Sequence, residues 1–96
     1  MLVLITYDVN TQSKEGRKRL RKVAKICTNM GTRVQCSVFE CHVNAAECRL
    51  LKHQLEEAID PEKDSLRFYY LGNQYQSKVE HIGAKETIDV EEPLIF

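Results

Sequence analysis

Apolar residues recur along this chain with changing periods, and each period predicts an element. Leu2, Val3, Leu4 and Ile5 run without a polar break, which marks a strand over residues 2 to 8 that is buried on both faces or nearly so. That strand ends on a carboxylate, Asp8, and the polar stretch VNTQS after it predicts a loop. From Lys14 to Met30 the spacing changes, and Leu20, Val23, Ala24, Cys27 and Met30 fall on one stripe of a helix. Gly31 stands where a left-handed cap would end it.

Thr32 to Cys41 then alternates as a second strand, with Val34, Cys36 and Val38 on one side and Arg33, Gln35, Ser37 and Phe39 on the other. Asn44 and Glu47 form a capping box, after which Leu50, Leu51, Leu55, Ala58 and Ile59 supply the apolar face of a second helix that stops before Pro61. SLRFYYLG, residues 65 to 72, is a third strand, with Leu66, Phe68 and Tyr70 opposite Arg67, Tyr69 and Leu71. A short strand is expected around Val79 to Ile82. The closing TIDVEEPLIF is expected to pack its apolar end, Pro93 to Phe96, on a surface, another subunit's included.

The order β-α-β-α-β-β points to an α+β sandwich of two layers with a mostly antiparallel sheet. A ferredoxin-like βαββαβ arrangement needs two strands between its helices. The short span between Met30 and Asn44 must then serve as both, by a bend or a bulge.

Composition narrows the class without naming a chemistry. Ninety-six residues suit a single domain spanning 1 to 96. At 43% hydrophobic and 29% charged residues the chain is neither disordered nor fibrous. The N-terminal apolar run falls far short of the roughly 20 residues of a membrane span and lacks the basic flank of a signal peptide, so no membrane partner is expected. Cys27, Cys36, Cys41 and Cys48 form no CxxC pair and have no histidines at zinc-site spacing, which reads as buried thiols in a reducing cytoplasm.

The net charge of zero conceals a polarised chain. Residues 11 to 33 hold eight of the fourteen basic side chains (Lys14, Arg17, Lys18, Arg19, Arg21, Lys22, Lys25, Arg33) against one acid, Glu15. Most of them project from the helix opposite its apolar stripe, where like charges one turn apart repel by a few tenths of a kcal/mol each. Such a face calls for a polyanion. The stretch from Glu80 to Phe96 is instead acidic, with Glu80, Glu86, Asp89, Glu91 and Glu92 against Lys85.

No glycine-rich phosphate loop, GxSxG or HExxH occurs, and His42, His53 and His81 are scattered. Asp8 has two readings. It is either a loop-start aspartate bonding nearby amides or a hard ligand for Mg²⁺, which keeps several waters and needs only one or two carboxylates. One aspartate is few for a metal. Pairing of two chains through their N-terminal strands would bring a second copy of Asp8 to the first.

LITYDVN, the basic GRKRLRKVAK helix, GTRVQCSVFE and DSLRFYYLG, in this order and spacing, resemble the CRISPR-associated protein 2 family, the small core protein of spacer acquisition, over nearly the whole chain. HIGAK and the PLIF ending are similar to the form that accompanies type I-C systems. The resemblance implies a ferredoxin-like fold with an extra C-terminal strand, a homodimer, and residues 78 to 96 as an extension packing across it. It further implies Mg²⁺ or Mn²⁺ shared by two copies of Asp8, with Tyr7 in the catalytic cleft, and with Ser37 and Phe39 either lining the same cleft or serving as packing residues. Nucleic acid would lie along Lys14, Arg17, Lys18, Arg19, Arg21, Lys22, Lys25 and Arg33. The implied activity is endonucleolytic, on single-stranded RNA or double-stranded DNA, in a prokaryotic cytoplasm. The alternative is a non-catalytic dimer that binds duplex DNA and bridges the integrase, CRISPR-associated protein 1.

Overall fold

A computed structural model describes residues 1–83. Its elements run β1 (Leu2–Asp8), α1 (Lys14–Met30), β2 (Thr32–Gln35), β3 (Val38–His42), α2 (Ala45–Ala58) and β4 (Ser65–Gly72). The strands form one antiparallel sheet in the order β2-β3-β1-β4, which with the helices is the βαββαβ ferredoxin-like arrangement. The expected second strand is therefore two strands. Gln35 pairs with Val38 across a turn at Cys36 and Ser37, and the register shifts between Arg33 and Gln35. That irregularity also breaks the single alternation read along Thr32 to Cys41, so Phe39 and Cys41 are buried while Cys36 is exposed.

Val3, Ile5, Tyr7, Phe39 and Cys41 from the sheet meet Val23 and Cys27 of α1 and Cys48, Leu51, Leu55 and Ala58 of α2 in one core. The stripe read from sequence holds for α1, where Leu20 and Met30 pack against this core. In α2 it holds except at Leu50, which is 53% exposed. β1 is buried along its helix side at Val3, Ile5 and Tyr7, and Leu2 at its start is buried as well. Leu4 and Thr6, which point to the other face of the sheet, are half-buried.

The helix ends follow their chemistry. The Ser13 hydroxyl accepts from the Gly16 amide at 3.0 Å to start α1, and the Asn44 and Glu47 box starts α2 as its sequence predicts. The end of α1 differs from expectation, since Gly31 is extended (φ −155°, ψ −172°) and not left-handed. Glycine is needed there for closeness. A Cβ at 31 would overlap the Cys41 sulfur and lie 2.7 Å from the Glu40 carbonyl oxygen, where the chain leaving α1 crosses β3.

The strand expected at Val79 to Ile82 is absent from the described residues, and Ile82 is 85% exposed. Val79 and Ile82, three positions apart, would point to opposite faces of a strand and give it no apolar side to bury. The expected docking of Pro93 to Phe96 lies outside the described residues, as does most of the 78 to 96 extension.

Candidate metal and nucleic-acid site

Asp8 is the last residue of β1, and the sheet opens beside it. β1 pairs with β3 only as far as Thr6, opposite Val38, whereas its pairing with β4 continues to Asp8 opposite Ser65. One flank of Asp8 is thereby uncovered, and the residue is exposed. It lines a shallow depression of about 460 Å³ together with Thr6, Tyr7, Ser65, Leu66 and Arg67. No group of three or more His, Cys, Asp or Glu side chains converges on a point among the described residues. Within one chain, Asp8 thus offers a single hard carboxylate, a donor that suits a heavily hydrated Mg²⁺ or Mn²⁺ and not a tight all-protein cage. Arg67, absent from the residues singled out by sequence, stands in the same depression, its guanidinium donating to the Tyr69 hydroxyl at 3.1 Å.

Of the other residues assigned to the cleft, Tyr7 lines the depression, whereas Phe39 and Ser37 do not. Tyr7 is buried, its backbone amide donates to the Ser37 carbonyl at 3.1 Å, and its hydroxyl donates to the Cys36 carbonyl at 3.3 Å. Burial pushes the Tyr7 phenol up, and Cys27 adds to this against the opposing pull of Arg33, so the group is a neutral donor. Phe39 is wholly inaccessible and stacks on Tyr7 with ring centroids 6.1 Å apart. Its place in the core favours the packing alternative for Phe39, whose side chain is inaccessible in this chain. Ser37 is half-buried in the β2–β3 turn and does not line the depression. Burial also pushes the thiols of Cys27 to about 12 and Cys41 to about 11, which removes both as nucleophiles.

Six of the eight expected phosphate-binding cations are exposed along α1: Lys14, Arg17, Lys18, Arg21, Lys22 and Lys25. The remaining two are committed elsewhere. Arg33 holds its guanidinium carbon 5.1 Å from the Phe39 ring centre, beside Tyr7 at the sheet's edge and away from the helix face. Arg19 forks onto Asp64, Nε to Oδ2 at 2.8 Å and Nη2 to Oδ1 at 3.3 Å. The Asp64 side chain is fully buried. Burial pushes its carboxyl up, but Arg19 and the amides of Asp60 and Asn10 outweigh burial and hold it below the usual aspartate range. The signal for it was the DSLR stretch, whose first residue is this acid.

The profile described as CRISPR associated protein Cas2 matches residues 1–79. The chain is 66% identical over 96 residues to the CRISPR-associated endonuclease Cas2 of Halalkalibacterium halodurans, covering 100% of both. It is 57% identical, again over 96 residues and 100% of both, to the CRISPR-associated endoribonuclease Cas2 of Chlorobaculum tepidum. Its fold overlays the crystal structure of Streptococcus pyogenes Cas2 with a TM-score of 0.75 at 57% identity, over 86% of this chain and 100% of that one. No helix among the described residues is long and apolar enough to cross a membrane. By profile, sequence and fold together, the chain belongs to the CRISPR associated protein Cas2 family.

Proposed function

We propose that the protein acts in CRISPR adaptation as a dimeric, metal-dependent endonuclease on single-stranded RNA or double-stranded DNA, in the type I-C setting suggested by HIGAK and PLIF. The observation that supports this most is Asp8, an exposed carboxylate in a depression that also holds Arg67. Two copies of Asp8, brought together by a two-fold axis along β1, would hold Mg²⁺ or Mn²⁺ between them. Carboxylates that close repel, and a cation relieves the repulsion. When bound, the metal supplies an activated water and charge stabilisation at the phosphodiester. Arg67 is placed to orient a phosphate beside Asp8, while Tyr7 and Phe39 support the end of β1 from below. The half-buried Leu4 and Thr6 on the uncovered face of a central strand favour pairing through that face.

A second reading, a non-catalytic adaptor that bridges the integrase, CRISPR-associated protein 1, is favoured by the six exposed cations of α1. A dimer would present two such faces to a duplex. The deciding test is cleavage of labelled RNA and duplex DNA by wild type and Asp8→Asn, each with Mg²⁺ or EDTA. The endonuclease reading expects cutting only by wild type with Mg²⁺, with Asp8→Asn slower by about 10²-fold or more. If neither protein cuts and both bind duplex as dimers, the adaptor role stands alone.

A further inference from the structure

No hydrogen bond or ion pair to another described residue fixes the Asp8 carboxylate, so the backbone on either side of it must set its direction. The preceding residue is fastened by the Tyr7 amide on Ser37. The following stretch is fastened by Asp64. Its Oδ1 accepts from the Asn10 amide at 3.0 Å, two residues beyond Asp8, and its Oδ2 accepts from the Asp60 amide at 2.9 Å. Each oxygen also takes one arm of the Arg19 fork. Asp64 directly precedes Ser65, the partner of Asp8 across β4. Asn10 is held from its other side too, since a Cβ at Gly16 would overlap the Asn10 carbonyl oxygen, so the first turn of α1 rests against it. One buried carboxylate thus joins the loop after Asp8, the turn before β4 and the basic helix.

From this geometry we infer that Asp64 and Arg19 form a positioning pair, which holds the Asp8 carboxylate in its metal-binding direction and fixes the phosphate-binding helix relative to it. Resting on the reading of Asp8 as a metal ligand, the inference adds a second acid that never touches the ion. A merely structural pair would stabilise the fold and leave ion affinity alone. Charge supplies a sharper distinction, because removing the Arg19 cation favours binding of any nearby cation. Weaker binding in Arg19→Gln must therefore come from lost orientation.

The experiment measures Mn²⁺ affinity by electron paramagnetic resonance on the full chain, well below its melting temperature, for wild type, Asp8→Asn, Arg19→Gln and Arg19→Lys. Arg19→Gln is expected to weaken Mn²⁺ about tenfold, the lower range of what losing an orienting partner costs. Arg19→Lys, which keeps the charge and loses the fork, should fall between Arg19→Gln and wild type, and it decides the matter if Arg19→Gln does not fold. Unchanged or tighter binding in the folded Arg19 variants, with binding lost in Asp8→Asn, overturns the positioning role and leaves the metal site standing. Wild-type affinity in Asp8→Asn removes the metal site and the inference with it.

Discussion

At the scale of single residues, burial decides what each side chain near Asp8 can do. Phe39 and Tyr7 were drawn into the cleft by their place in a motif, yet full burial and a shared stack make Phe39 a packing residue. Phe39→Ala should destabilise the fold by about 3–5 kcal/mol through the cavity it leaves. Phe39→Leu should cost far less and, assayed below its melting temperature, keep wild-type cleavage. Urea unfolding alongside the nuclease assay checks both, and a folded Phe39→Leu protein that cuts poorly would restore the residue to the reaction. Asp8 was legible from sequence because an acid ending an apolar strand is anomalous. Asp64 was not, because an aspartate in DPEKDS looks like ordinary turn chemistry until Asn10 and Arg19, 54 and 45 positions away, bring donors to it.

At the scale of elements, the Arg19 and Asp64 bridge ties α1 to the turn between α2 and β4. The Asp64 carboxyl is held below its ordinary range, so folding binds the charged form more favourably than the unfolded chain does. That contribution is fully present above the ordinary aspartate value of about 3.9 and is lost as pH falls through the lower folded value. Arg19→Gln removes the principal partner. Urea midpoints should therefore separate wild type from Arg19→Gln near neutral pH and converge as pH drops below about 4. A gap that stays constant across that window would mean the bridge is not what depresses Asp64. The β2–β3 hairpin belongs to the same scale. Sequence alternation predicted one strand, and the bend in it followed only from the count of strands the fold requires.

For the whole molecule, the division of charge matters more than its zero sum. α1 turns six cations outward while Arg19 and Arg33 are engaged with the core's edge, so the exposed cationic face is narrower than its composition suggests. Lys18→Gln with Lys22→Gln should weaken duplex binding at low salt and reduce the slope of log affinity against log salt by about 2 per chain if both contact phosphates. Arg33→Gln should leave that slope unchanged. Mobility shifts across a salt series measure both, and an undiminished slope in the double variant would place the duplex elsewhere.

Local pattern alone determined both helices, the β1 and β4 strands, the capping box of α2, the basic helix face and Asp8 as the residue to question. Helix and strand periods and charge spacing are properties of neighbours in sequence, and they survive without knowledge of distant contacts. Tertiary structure decided which cations remain outward, that Phe39 lies under the site, that Gly31 serves a close crossing and that Asp64 gathers three segments. These depend chiefly on residues far apart in the chain, from 10 positions for Gly31 and Cys41 to 54 for Asn10 and Asp64, arriving at one point. Burial and hydrogen-bond geometry at that point have no counterpart in the order of residues.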